Sequence, residues 1–340
     1  MQTAGQSGLD QFDLLHSSLP ELNLSEVSIE SSFLDQVIAT PFYIAGMSAG
    51  IAHAGELNLK FAEIASARGW LLGVGSQRRE LDSDFEDHAI AGLATQFPQL
   101  KLVSNLGLSQ LITLARENKL SQLFKILDRS KASLLAIHLN PLQEAIQGEG
   151  TPEFKGGLSA LKKLIAESPV PVLVKETGSG MSESTLQKLS ELKPFAIDVS
   201  GKGGTHWGRI EGKRAASDSI TGKLGKTFEN WGISTVQSML NAGTVDLHAS
   251  ELWASGGVRS GVDAAKLIAL GAARVGFAKP ALEAAMAGVK SLDQWMATME
   301  QELRVAMFCS EAASLGDLTS QLLIPSQSSS FEISPQDSTL

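Results

Sequence analysis

The string His138-Leu139-Asn140-Pro141-Leu142-Gln143-Glu144 gathers an imidazole, two amides and a carboxylate in seven consecutive positions. Side chains alternate along a strand, so His138 and Asn140 would share one side, with Gln143 and Glu144 opening a loop or short helix beyond it. A hard cation such as Mg²⁺ takes carboxylate oxygen together with substrate phosphate, so Glu144 beside a diphosphate would suit that chemistry. Taken singly, His138 reads first as a satisfied core histidine and Glu144 as a solvated carboxylate. Two further stretches suit anion binding. Ser255-Gly256-Gly257-Val258-Arg259 and Gly276-Phe277-Ala278-Lys279-Pro280 put small residues just ahead of helices expected to start near Gly261 and Pro280. There backbone N–H groups can approach an anion, and a helix N-terminus adds a favourable dipole. One Gly-Gly pair alone is a turn; two such loops point to a phosphate-bearing cofactor or substrate. Lys175 is either a snorkelling lysine or a cation beside an electron-rich ring or a phosphate. Gly203-Gly204-Thr205 either cradles an anion or loosens its loop.

Something must hold these residues together. Eight short apolar runs recur, at 41–46, 70–74, 100–104, 133–138, 170–175, 195–200, 252–256 and 273–277, each giving way to Gly, Ser, Asn or Lys. Unbroken apolar character suits strands buried on both faces of a parallel sheet. Amphipathic helical segments lie between them. The clearest is 158–166, where Leu161, Leu164 and Ile165 oppose Lys162 and Lys163; 57–67, 185–192 and 262–270 read the same way. Strand and helix alternating eight times predict an α/β fold, a (β/α)8 TIM barrel, rather than an open doubly wound sheet. The polar residues support this, because they fall at the strand C-termini, which in a barrel form one mouth. Two long connections, 140–156 and 201–231, read as lids or binding loops. A single barrel with an N-terminal extension is expected over 1–325, and a Ser- and Pro-rich disordered tail over 326–340.

Across 340 residues the net charge is −9, with acids and bases interspersed. That argues against nucleic acid or an anionic membrane as the main partner and leaves phosphate binding to local clusters. One cysteine, Cys309, rules out a disulfide within the chain and reads as a buried packing thiol. Residues 1–14 lack the basic start and apolar core of a signal peptide, and no stretch reaches the ~18 apolar residues of a membrane span. The expectation is a cytoplasmic protein.

From about His16 to about Ala313 the chain resembles the type 2 isopentenyl-diphosphate delta-isomerases. The resemblance rests on His16-Ser17-Ser18-Leu19-Pro20-Glu21, Met47-Ser48-Ala49-Gly50, Gly75-Ser76-Gln77-Arg78, Asn105-Leu106-Gly107, the His138 to Glu144 string with Glu149-Gly150, Val174-Lys175-Glu176, Asp198-Val199-Ser200-Gly201, Gly203-Gly204-Thr205, Glu211 with Arg214, Trp231-Gly232, and Ser255-Gly256-Gly257 with Arg259. The His-Leu-Asn-x-x-Gln-Glu pattern is specific to that family, whereas the Gly-Gly stretches are shared with many flavin barrels. The resemblance implies an FMN enzyme of isoprenoid biosynthesis that needs Mg²⁺ and a reductant such as NADPH. It would turn isopentenyl diphosphate into dimethylallyl diphosphate, as a homotetramer or octamer. Gly46, Met47, Ser48, Ser76, Asn105, Lys175, Ser200, Thr205, Gly256, Gly257, Arg259, Ala278 and Lys279 would then line the flavin. Ser76, Gln77, Arg78, His138, Asn140 and Gln143 would face the substrate, and Glu144 would hold Mg²⁺. Gln143, His138 and Glu211 are the catalytic candidates, with Gln143 orienting or relaying because an amide is too weak an acid to act alone.

The chain departs from the pattern twice. Ser48-Ala49 stands where the family usually has Thr-Gly, which keeps the hydroxyl. The family's Arg-Lys-x-x-His stretch, which binds the diphosphate, has no counterpart in residues 1–12, which hold no Arg, Lys or His. Either the start is truncated or the substrate is held differently, for instance by Lys202 or Lys213. The expected consequence is a high KM with FMN binding nearly intact. Two other readings stand beside the isomerase. A hydroxyacid oxidase or dehydrogenase would need a His base late in the barrel, where the sequence offers only His248, at the wrong end of the seventh strand. The other is a flavin-binding protein that has lost isomerase activity.

Overall fold

The computed structural model describes residues 7–48, 53–82 and 89–326. Ala49 and Gly50 of the first matching motif, residues 1–6 and nearly all of the expected tail lie outside that set. Eight parallel strands close in chain order into a barrel: β1 (Phe42–Ile44), β2 (Leu71–Gly73), β3 (Lys101–Gly107), β4 (Leu134–Leu139), β5 (Val172–Glu176), β6 (Ala196–Asp198), β7 (Glu251–Ser255) and β8 (Arg274–Phe277). Each overlaps one of the eight apolar runs. Closure comes from β8 pairing with β1, Val275 opposite Phe42. Helices Ala54–Arg68, Gly157–Glu167, Glu183–Ser190 and Gly261–Ala269 stand where helical period was read.

The period-two alternation of the strands sorts their side chains into two cores. On β1, Phe42 and Ile44 pack outward against the helices, while Tyr43 and the following Ala45 belong to the barrel interior. Leu134 and Ala136 of β4, Leu173 of β5, Ala196 of β6 and Trp253 of β7 join that interior cluster. Each fully buried aliphatic side chain contributes about 1.5–3 kcal/mol. Two residues further along, the same inward row reaches His138, Lys175, Asp198 and Ser255. The apolar filling therefore gives way to polar side chains at the mouth.

Some elements were not legible. A hairpin, Ser31–Phe33 paired with Gln36–Ile38, caps the opposite end of the barrel and sends Phe33 and Ile38 into the interior cluster. Arg274 is fully buried beneath it, its guanidinium 5.1 Å from the Phe33 ring and donating to Ser31 Oγ at 3.1 Å. The connection after β6, expected as a long loop, carries helices Trp207–Arg214 and Ile220–Thr227. Their glycines serve contact: a Cβ on Gly212 would lie 2.5 Å from the Gly225 Cα. Cys309, expected to be buried, is partly exposed at the C-terminal end of helix Val289–Cys309. No helix among the described residues is long and apolar enough to cross a membrane.

Candidate active site

The C-terminal strand ends enclose a cavity of about 790 Å³, large enough for a cofactor with a small substrate. Its floor is a buried polar layer. Tyr43 Oη donates to Asp198 Oδ2 at 2.5 Å, Ser255 Oγ donates to the same carboxylate at 2.9 Å, and Ser200 N donates to Oδ1 at 3.0 Å. Burial, and then the Asp198 charge, raise the Tyr43 hydroxyl well above its ordinary value, so it stays a donor.

One wall is built from backbone. Gly46, Met47 and Ser48 follow β1, Gly256 and Gly257 follow β7, and Ala278 and Lys279 follow β8; all line the cavity with Ser76, Ser200 and Thr205. Gly204 lies so close to the β7 loop that a Cβ there would sit 2.6 Å from the Gly257 amide nitrogen. The N–H groups of Gly257 and Val258 donate to no acceptor among the described residues. Helix Gly261–Ala269 begins just beyond them. Unpaired amides at a helix start, with no side chain in the way, suit a phosphate. Lys175 is buried; its Nζ donates to the Glu176 carbonyl at 2.8 Å and still lines the cavity. These features fit a flavin mononucleotide with its phosphate at the glycine loops.

The opposite wall carries the side chains of the heptapeptide. His138 ends its inward row with Nδ1 at 2.9 Å from Asn105 Oδ1. Burial first, then the charges of Lys175 and Arg78, push its pKa down to about 3, so the ring is neutral. Pro141 starts the short helix Pro141–Ile146, as proline favours at a first helical position, and the helix turns Gln143 and Glu144 back over the mouth. Glu144 is buried and accepts from Asn140 Nδ2 at 2.9 Å and Thr151 N at 2.7 Å. Asn140 Oδ1 is buried with no partner among the described residues, a cost unless a ligand supplies a donor. Gln143 Nε2 lies 3.5 Å from Glu211 Oε1, which also takes an ion pair from Arg214 at 3.3 Å. The helix after β6 thereby brings Glu211 onto the β4 side, a meeting that no sequence spacing signals.

The resemblance-derived residues do not all sit alike. Gln77 and Arg78 line the cavity, but the Gln77 amide is engaged at both ends: Oε1 accepts from Ser104 Oγ and from Asn105 N, and Nε2 donates to Glu80 at 2.8 Å. Arg259 is the exception, absent from the cavity wall and turned to Asp263, whose Oδ2 is 3.5 Å from its Nε. His248 is exposed ahead of β7, away from the mouth. His206 is buried and occupied, its Nδ1 accepting from Arg209 N at 3.1 Å and its Nε2 lying 3.1 Å from the Trp231 carbonyl. Among the described residues no three His, Cys, Asp or Glu side chains cluster as a self-sufficient metal cage. Sequence reading missed Asn58, Gln110 and Trp207, which reach the cavity from helices near the strand ends; their only signal is proximity in chain to those ends.

Residues 112–325 match the FMN-dependent dehydrogenase family. The chain is 45% identical over 328 residues to a protein of Bdellovibrio bacteriovorus named isopentenyl-diphosphate delta-isomerase, covering 95% of this chain and 93% of that one. A protein of the same name from Legionella pneumophila (strain Corby) is 46% identical, covering 93% and 91%. One from Pseudescherichia vulneris is 36% identical, covering 93% and 90%. Among solved structures, an oxidised active mutant of (S)-mandelate dehydrogenase superposes with a TM-score of 0.65 at 16% identity, covering 95% of this chain and 90% of that one. Likeness at that identity concerns the fold alone.

Proposed function

This chain belongs to the isopentenyl-diphosphate delta-isomerase family, and we propose on that premise that it converts isopentenyl diphosphate to dimethylallyl diphosphate in a flavin-lined barrel mouth. The observation that carries the proposal is the convergence of Asn140, Gln143, Glu144 and Glu211 across one cavity from the glycine loops. Bound reduced FMN would supply an electron-rich ring against which positive charge on the alkene is stabilised.

The side chains do the rest. Isomerisation puts a proton on the terminal alkene carbon and takes one from the allylic carbon, with no net redox change. Gln143, hydrogen-bonded to Asn140 and near Glu211, orients the reacting end. Glu211 is the buried carboxylate best placed to carry a proton in that corner. Glu144, together with substrate oxygens, would hold Mg²⁺, which commonly takes one or two carboxylates plus phosphate and water. Arg78 and Arg214 add positive charge at the rim for the diphosphate. Mg²⁺, a reductant such as NADPH, a role in isoprenoid biosynthesis, a cytoplasmic location and a homotetramer or octamer complete the reading on the family resemblance alone.

A hydroxyacid oxidase or dehydrogenase would need a free His base on the late side of the mouth. Besides His248, which is exposed away from the mouth, the late half of the described barrel holds His206, which the sequence reading passed over and whose two ring nitrogens are both committed to hydrogen bonds. The deciding experiment is an anaerobic assay of FMN-loaded, reduced protein with Mg²⁺ and isopentenyl diphosphate. Dimethylallyl diphosphate without net consumption of reductant supports the isomerase. Tight FMN binding with no product identifies a flavoprotein without that activity.

A further inference from the structure

Ser7 is 2% exposed, wedged behind the glycine loops on the side away from the cavity. A Cβ on Gly203 would lie 2.5 Å from both Ser7 Cα and Ser7 Cβ, and a Cβ on Gly257 would lie 2.8 Å from Ser7 Cβ. The two loops and the N-terminal segment therefore meet at this one residue. The wedge is fastened on both sides. Ser7 O accepts from Val236 N at 2.9 Å, and the adjacent Thr235 Oγ1 donates to Gly256 O at 2.6 Å. Two residues on, Leu9 is buried in the main core and its carbonyl accepts from Lys266 Nζ at 3.0 Å. Lys266 is itself buried on helix Gly261–Ala269, the helix that starts beside Gly257.

We propose that Ser7 is a positioning residue for the flavin phosphate: it sets the spacing of the Gly203 and Gly257 loops, whose backbone N–H groups would hold that phosphate. The inference rests on the FMN reading above. A hydrogen bond weakens steeply with small displacements, so a wedge of the wrong size spoils phosphate recognition while leaving the ring pocket in place.

Riboflavin has the ring and lacks the phosphate, so paired titrations isolate the effect. Full-length protein stripped of flavin is titrated with FMN and with riboflavin, and both Kd values are read from flavin fluorescence. In Ser7→Leu, FMN should bind at least about tenfold more weakly while riboflavin stays within about twofold. Ser7→Ala, which keeps the Cβ, should stay close to wild type for both. Lys266→Met should shift the FMN-to-riboflavin ratio in the same direction as Ser7→Leu, and decides the matter if Ser7→Leu does not fold. Equal weakening of both flavins, or of neither, overturns the assignment. Wild-type protein that binds FMN no more tightly than riboflavin would instead overturn the phosphate cradle itself, and this inference with it.

Discussion

Asn105 Nδ2 lies 3.0 Å from the Val74 carbonyl while Asn105 Oδ1 lies 2.9 Å from His138 Nδ1. The carbonyl can only accept, which fixes the amide; its oxygen then faces the imidazole, so Nδ1 carries the hydrogen and Nε2 presents a lone pair. The β3 asparagine thereby chooses the tautomer of the β4 histidine.

Neutral His138 has a titration that can be followed by imidazole NMR. Its midpoint should fall near pH 3 rather than near the ordinary 6.5. Lys175→Met should raise it only in part, because burial outweighs the charge. The folded value lies below the unfolded one, so the unfolded chain binds the extra proton between these limits. The fold therefore loses stability as pH falls from 6.5 toward 3, and His138→Gln should flatten that part of the pH–stability curve. A wild-type midpoint near 6.5 would contradict this placement of the ring.

Glu176 behaves with the opposite sign. Burial lifts its pKa to about 7, despite backbone N–H groups of Thr177, Ser179 and Gly180 donating to Oε2. With the folded value above the unfolded one, the folded state holds the proton more tightly. Stability is then favoured below pH 4.5 and is lost as pH rises through about 7. Thermal melts of Glu176→Gln should lose less between pH 5 and pH 8 than those of wild type. Identical pH dependence would mean that Glu176 is ionised throughout.

The heptapeptide separates into two roles. Gln143→Ala should lower kcat by roughly a hundredfold with FMN affinity kept, as expected for a group that acts in the transition state. Glu144→Gln should raise the Mg²⁺ concentration for half-maximal rate about tenfold or more, one charge-assisted contact being worth about 1.5–3 kcal/mol. It should also loosen the 147–151 turn or its tie to Asn140, since one of the two oxygens that accept from Thr151 N and Asn140 Nδ2 becomes a donor NH2 group. Wild-type steady-state kinetics in both variants would make the cluster a structural one.

Gly204→Ala places a methyl 2.6 Å from the Gly257 amide. Loss of that one donor to an anion should weaken FMN about tenfold to a hundredfold by equilibrium titration. An unchanged Kd would move the phosphate elsewhere in the cavity.

Much of this was legible because it depends on local order. Eight apolar runs, each followed by polar or small residues, are enough to place eight strands and the mouth, since alternation and chain direction fix which residue ends each inward row. His138, Lys175 and Ser255 could be assigned to that mouth in this way. The heptapeptide was legible as a unit because strand alternation and a proline-started helix act over a few residues.

Other features depend on contacts between distant parts of the chain. Glu211 meets Gln143 only because a helix in the β6 connection folds across the barrel, and Gly212 of that helix packs directly against Gly225 of the next. Arg259 adjoins a phosphate-like motif in sequence, yet it pairs with Asp263 one helical turn on. Ser7 carries no motif; its burial against Gly203 and Gly257 exists only after barrel closure brings the β6 and β7 loops side by side and the N-terminal segment crosses behind them. The sequence determined the strands, the mouth and most residues that line it, because those follow from periodicity. Tertiary structure decided which of them meet and what holds them apart, because distances between separate loops are set by packing across the closed barrel.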